Sequence, residues 1–218
     1  MLSYTEENYL KSIYHLSEGG TKAVLTNEIA ASLNTKAATV TDMIKKLSSK
    51  ELIEYEKYYG VNITKKGKQL ALSIVRKHRL WETFLVQKLN FQWDQVHEVA
   101  EQLEHIHSSL LIEKLDEFLG HPTADPHGHP IPDKNGRIKQ EKQVVLKDAL
   151  INKTLYVCAV RNGSPSFLQY LSKIGVQIGA KVLVTERIEF DGSLEVSIKD
   201  NNPQLISREA AENILVKE

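Results

Sequence analysis

From Trp93 to Ser108 the chain reads Trp93-Asp94-Gln95-Val96-His97-Glu98-Val99-Ala100-Glu101-Gln102-Leu103-Glu104-His105-Ile106-His107-Ser108. On one helix, residues three and four apart share a face. That aligns His97, Glu101, Glu104 and His105 in a stripe beside an apolar stripe of Val96, Ala100, Leu103 and Leu110. Carboxylates and imidazoles at the edge of a buried face repel or stay desolvated unless a cation joins them. An earlier helical segment presents His78 and Glu82, again four apart. Oxygen and imidazole donors without a thiolate suit Mn(II) and Fe(II), while Zn(II) or Co(II) would also bind such a set in vitro. The stripe predicts a metal site in preference to a solvated polar face.

Enzymatic uses of these donors fail on spacing. His97-Glu98-Val99-Ala100-Glu101 departs from the zinc-protease pattern His-Glu-x-x-His by ending in Glu. Glu104-x-x-His107 matches one half of a di-iron carboxylate bundle, and the chain has no second Glu-x-x-His. Neither a phosphate-cradling glycine loop nor a serine nucleophile elbow occurs, so the chain is read as a non-enzyme.

The elements that must position these donors follow from periodicity. The chain is read as mainly α with a small β domain. From Tyr4 to about Leu119 the pattern is helical; 120–135 then holds Pro122, Pro126, Pro130 and Pro132 with His121, His127 and His129, which makes it a connector. Beyond about Val144 the period becomes strand-like, with Asp191-Gly192 as a hairpin turn and Ser164-Pro165-Ser166 opening a short helix. The expected domains are therefore 1–72, 73–135 and 145–218, the last a small β-rich barrel.

Within 1–72 the order is a helix over about 4–18, and a short helix capped by Thr26. A third helix runs from Lys36 to about Lys50. An alternating ribbon around Gly60 precedes a long helix capped by Thr64. Two short helices, a hairpin and a helix make a winged helix-turn-helix. The third helix opens with small and polar residues: Thr35, Lys36, Ala37, Ala38, Thr39, Thr41 and Asp42. Such a start can enter a major groove, with Lys45, Lys46 and Lys50 for phosphates and Lys57 with Tyr58 as a wing. Formal net charge is +0, so the basic stretch from Lys45 to Lys68 carries the argument rather than the total. The single cysteine, Cys158, excludes an internal disulfide and is read as a buried core thiol. With no apolar run long enough to span a membrane and no leader pattern, the expected location is the cytoplasm.

These stretches resemble the iron- and manganese-dependent repressors of the diphtheria toxin repressor and manganese transport regulator type. The likeness lies in Thr5-Glu6-Glu7-Asn8-Tyr9-Leu10-Lys11-Ser12-Ile13-Tyr14, Arg76-Lys77-His78-Arg79-Leu80-Trp81-Glu82, Val96-His97-Glu98, Glu104-His105 and Asp125-Pro126-His127-Gly128-His129-Pro130-Ile131-Pro132. It covers most of residues 3–135 and weakens beyond. It implies a homodimer that binds operator DNA when loaded with Mn(II) or Fe(II), a helical metal-binding and dimerisation domain, and an SH3-like C-terminal barrel. A winged-helix regulator indifferent to metal is the alternative.

The family's primary site falls on Asn8, Glu101, Glu104 and His105. Glu101 stands where iron-type members carry Cys, which favours manganese. Asn8 replaces the family's Met or Asp, with one negative charge fewer than Asp. Lys11 stands where manganese-type members without a C-terminal domain carry Glu, which argues against a paired-metal centre. An ancillary site falls on His78, Glu82 and His97, or, in members with the SH3-like domain, on Glu82, Asp125 and His127.

Overall fold

The computed structural model describes residues 2–56, 58–139 and 141–218. Helices α1 (Tyr4–Leu16), α2 (Thr26–Ser32) and α3 (Ala37–Ser49) precede an antiparallel ribbon of β1 (Ile53–Glu56) and β2 (Gly60–Ile63). Helices α4 (Lys65–Leu89), α5 (His97–Leu103) and α6 (Ser109–Phe118) follow. The C-terminal part contains β3 (Val144–Val145), β4 (Thr154–Val160), α7 (Pro165–Lys173), β5 (Lys181–Arg187) and β6 (Leu194–Ile198). It closes with β7 (Gln204–Ile206), α8 (Arg208–Glu212) and β8 (Ile214–Lys217). Two compact units result: one of Met1–His78, Glu101–Glu113 and Pro132–Ile138, the other of Arg79–Ala100, Lys114–Ile131 and Lys139–Glu218. Among the described residues, no helix is long and apolar enough to cross a membrane.

The first unit is built around the winged helix. Tyr9, Leu10 and Ile13 of α1 pack with Ile29 of α2, Val40, Ile44 and Leu47 of α3, and Leu52, Ile53 and Val61 from the ribbon. Each such side chain contributes about 1.5–3 kcal/mol by leaving water. A capping box starts α1: Ser3 Oγ accepts from Glu6 N–H and the Glu6 carboxylate accepts from Ser3 N–H. Thr64 caps α4 as expected, its Oγ1 accepting from Gly67 N–H at 3.0 Å.

Three local expectations need correction. The cap of α2 is Leu25, not Thr26, because the Glu28 carboxylate reaches back 2.7 Å to Leu25 N–H. Helix α5 stops at Leu103, so Glu104 and His105 lie in the turn after it. Their side chains are engaged by partners distant in sequence, and those interactions outweigh another helical turn. Leu110, expected on the apolar stripe, is 65% exposed on α6. Lys57, expected in the wing, lies outside the described residues.

The second unit holds an antiparallel sheet in the order β3-β8-β4-β5-β6-β7. On β6, Leu194, Val196 and Ile198 point into the core while Glu195 and Ser197 alternate outward. Register shifts at Val157/Ala159 and Val184/Glu186 mark bulges, which bend a small sheet around its core. Cys158 sits at the first bulge and is half-buried rather than a core thiol, its Sγ 3.6 Å from Gln143 Oε1.

The connector is fastened to this sheet: Val160 N–H donates to His127 O at 3.0 Å. Gly128 has φ +84°, and a Cβ there would lie 2.0 Å from Cys158 O and 2.6 Å from Ala159 Cα. Only glycine lets the two backbones come so close. Gly128→Ala should therefore lower the unfolding free energy by on the order of 3 kcal/mol, from overpacking plus left-handed strain. Urea titration followed by circular dichroism measures this, and an unchanged midpoint would show that the connector is not pressed on β4.

Candidate metal centre

In the first unit, α1 and the turn after α5 bring acids and imidazoles together. Glu7 Oε2 lies 2.5 Å from His105 Nδ1. That contact fixes the ring so that its other nitrogen points away from Glu7. That atom, His105 Nε2, is buried without a hydrogen-bond partner and lies 3.6 Å from Glu104 Oε1. The Oδ1 of Asn8 is likewise buried and unpartnered. A carboxylate orienting a histidine whose second nitrogen is left open is the usual support of a metal-binding imidazole.

Glu104 is wholly buried. Burial pushes its carboxyl up, but the His78 ring and the Lys11 ammonium outweigh that and hold it below the usual carboxylate range. His78 Nδ1 lies 2.6 Å from Glu104 Oε2, and Lys11 Nζ 2.6 Å from both Glu104 Oε1 and Glu101 Oε1. Nearby, Lys77 is buried and burial pulls its ammonium below the ordinary lysine value against the attraction of Glu7 and Glu104. The donor set of Asn8, Glu101, Glu104 and His105 is oxygen with one imidazole and no sulfur, a set that fits a hard or borderline divalent cation.

In the second unit, Glu82, Asp125 and His127 are all buried. Glu82 is shared: Oε2 lies 3.6 Å from His127 Nδ1 and Oε1 lies 3.7 Å from His97 Nδ1. His127 Nε2 donates to Trp93 O at 2.8 Å, which turns Nδ1 toward the acids. Burial alone would lower the His127 pKa, but Glu82, Asp125 and the Trp93 carbonyl raise it. Asp125 Oδ1 accepts from the amides of His127 and His129, while Oδ2 faces His129 Nδ1 at 3.2 Å and Arg79 Nε at 3.6 Å. Potential ligand atoms of Asp125, His127 and His129 all lie within 4.8 Å of one another.

Sequence reasoning missed Glu7 and His129 here. Glu7 faces His105 across 98 residues of chain, and only pairing in space identifies it. His129 was legible in principle, because Asp125-x-His127-Gly128-His129 alternates around a turning glycine. Of the ancillary set, His78 is held by Glu104 in the first unit, while Glu82 and His97 meet in the second.

On α3, Ala37, Ala38, Thr39, Asp42, Lys45 and Lys46 are exposed and Thr41 half-exposed; just before it, Lys36 is exposed and Thr35 half-exposed. Thr41 Oγ1 donates back to Ala37 O at 3.0 Å, so only its lone pairs remain for an outside partner. Lys45 Nζ is 3.4 Å from Asp42. Lys46 and Lys50 approach Glu6 at 3.3 and 2.5 Å, tying α3 to α1. Tyr58 and Tyr59 stand 86% and 71% exposed in the ribbon turn.

A winged reading head, helices carrying buried acid–imidazole clusters and a small β domain together define a winged-helix regulator. Residues 1–61 match the family described as iron dependent repressor, N-terminal DNA binding domain, and residues 64–133 its metal binding and dimerisation domain; 144–218 match the FeoA domain. The chain is 34% identical to a solved manganese-dependent transcriptional repressor in complex with manganese, covering 97% of this chain and 99% of that one with a TM-score of 0.88. The structure of ScaR with bound Cd2+ is 31% identical, with a TM-score of 0.80 over 98% of this chain and 99% of that one. The iron-dependent repressor IdeR of Mycobacterium tuberculosis is 35% identical over 128 residues, 59% of this chain and 55% of that protein. The chain thus spans about half the length of the curated relatives it matches first. It belongs to the iron- and manganese-dependent repressor family, whose members are transcriptional repressors that bind divalent metals.

The tie between α1 and α3 yields a pH prediction. Burial pushes the Glu6 carboxyl up, yet Lys50, Ser3 N–H and Lys46 outweigh it and lower the pKa from 4.5 to about 2. A carboxylate depressed on folding stabilises fully above its unfolded value, and that contribution is lost as pH falls from 4.5 toward 2. Glu6→Gln should cost about 1–2 kcal/mol at neutral pH. The difference from the parent should shrink through that acid window; thermal melts that stay parallel down to the acid limit would contradict the pairing.

Proposed function

We propose that the chain is a cytoplasmic, homodimeric repressor that binds double-stranded operator DNA when Mn(II) or Fe(II) occupies Asn8, Glu101, Glu104 and His105. The observation that carries this reading is His105 Nε2, buried and unpartnered 3.6 Å from the wholly buried Glu104, together with a second buried, unpartnered donor, Asn8 Oδ1, on α1. Buried polar atoms are rarely left unsatisfied, and those that are call for a missing partner. Glu101, an oxygen donor in place of a thiolate, favours manganese over iron, and the solved relative that holds manganese supports that order. Zn(II) and Co(II) would bind in vitro. When bound, the cation supplies positive charge that joins α1 to the turn after α5; the chain's own residues do the rest.

Residues 1–72 serve as the DNA-binding domain. Thr35, Lys36, Ala38, Thr39, Thr41 and Asp42 face the major groove, Lys45 and Lys46 the phosphates, and Tyr58 stands in the wing; Lys57, expected to serve there, lies outside the described residues. Residues 73–135 provide metal binding and dimerisation, a role supported by the exposed Leu89 and Phe118 on α4 and α6. Residues 145–218 form the SH3-like domain, which steadies the connector that carries Asp125 and His127 for a second metal position with Glu82. His78 and His97 complete the donors around these two positions. No catalytic role is assigned.

Metal acts here as an allosteric effector, and couplings of about 1–3 kcal/mol correspond to roughly 5–150-fold tighter DNA binding. Genomic fragments captured by the protein with Mn(II), with anaerobic Fe(II) or with chelator test the reading; equal capture in chelator would favour a regulator indifferent to metal. His105→Ala should abolish the metal response while leaving a folded dimer by sedimentation, and a full Mn(II) response in that variant would remove the site. Lys45→Gln should reduce the slope of log affinity against log salt by about 0.9 for each phosphate that is no longer neutralised. An unchanged slope would mean that the DNA backbone is gripped elsewhere.

A further inference from the structure

Lys11 is a cation that the chain supplies to its own acidic pair. Its Nζ lies 2.6 Å from Glu101 Oε1 and 2.6 and 2.9 Å from the two oxygens of Glu104. The Lys11 side chain is 12% exposed and that of Glu104 is 0% exposed, so water screens this pairing little. The oxygens that a divalent cation would need are thus covered by an ammonium. Asn8 lies three residues earlier, on the same face of α1. Its Oδ1 and the Nε2 of His105 meet no partner. Glu104, satisfied like Glu101 by an internal cation, thus stands 3.6 Å from a donor satisfied by nothing, His105 Nε2, with a second such donor one turn before Lys11 on α1.

We propose that Lys11 is a tethered competitor for the metal, holding Glu101 and Glu104 in the metal-free chain and leaving them when a divalent cation enters. This rests on the reading of Asn8, Glu101, Glu104 and His105 as the ligand set. In the exchange α1 gives up an anchor at Lys11 and gains one at Asn8, a turn nearer the start of the helix. The ammonium keeps its proton and moves to water, so the exchange needs no other reactant. Lys11 has two effects. It removes the repulsion that would otherwise loosen the metal-free site. It also sets the metal threshold, since apparent affinity falls by the fraction of molecules in which the carboxylates are free. A single positive charge gains little by replacing another, so Na+ and K+ do not trigger the exchange.

The full-length protein can be pulsed with an amine-acylating reagent in chelator and in saturating Mn(II), and modification at each lysine read by mass spectrometry. Lys11 should react slowly in chelator relative to Lys45, whose side chain is 71% exposed, and approach the Lys45 rate with Mn(II). Lys11 protection that persists while Mn(II) binds, in a protein whose binding is lost on His105→Ala, would overturn the proposal and leave the ligand set standing. Mn(II) binding that survives His105→Ala would remove the ligand set and this proposal together. Lys11→Met should tighten Mn(II) binding by about tenfold and lower the melting temperature in chelator but not in Mn(II). Unchanged or weaker Mn(II) binding by Lys11→Met would count equally against displacement.

Discussion

A carboxylate with no exposed surface needs its charge matched close by, since an unpaired buried anion costs several kcal/mol. Glu104 is in that position, and the first unit is arranged around meeting its need. His78 comes from α4 and Lys11 from α1, while His105 stands beside it with one nitrogen turned to Glu7. Because α1 is also a wall of the winged helix, the groups that neutralise Glu104 join the reading head to the turn after α5. Successive residues of α1 divide the work. Glu6 reaches Lys46 and Lys50 on α3, Glu7 reaches His105, and Lys11 reaches Glu101 and Glu104. This one helix is therefore tied at once to α3 and to the acidic cluster.

The second unit meets a similar demand by a different route. Asp125 is neutralised largely by its own loop, whose amides at His127 and His129 donate to one oxygen while Arg79 stands near the other. His127 is gripped from two sides, by Trp93 O at its ring and by Val160 N–H at its carbonyl. The β domain contributes here by what it holds in place. Strand β4 presents the backbone on which Gly128 lies, and Ser172 of α7 accepts from Trp93 Nε1 at 2.9 Å.

Regular, strongly periodic segments were legible in the residues alone. The apolar spacing of α1 and α3, the Thr64 cap and the alternation of β6 needed no tertiary knowledge, because local geometry decides them. The domain order and most of the acid–imidazole set were also readable. The extent of α5 was not, since Glu104 and His105 leave the helix to meet Lys11, His78 and Glu7. Periodicity cannot reveal a partner some ninety residues away, so Lys11 could be noticed as an unusual residue without its pairing being foreseen. Leu110 continued the helical count of the stripe, but that count breaks at the turn, and the side chain faces outward. Cys158 fell on a strand as read, but the bulge that half-exposes it depends on pairing with β8.

In the connector cluster the acid draws its orientation from its own loop, while His127 is held from outside it by Trp93 and Val160. Asp125 takes its orientation from amides within the same loop, and Gly128 sets the turn that brings His127 and His129 to it. The loop is thus a clip whose inner face is set locally and whose outer side is anchored by β4 and Trp93. On the proposed reading, substitutions between Asp125 and His129 would change the donors of the second metal position, whereas the donors of the first come from α1 and the turn after α5, other stretches of the chain.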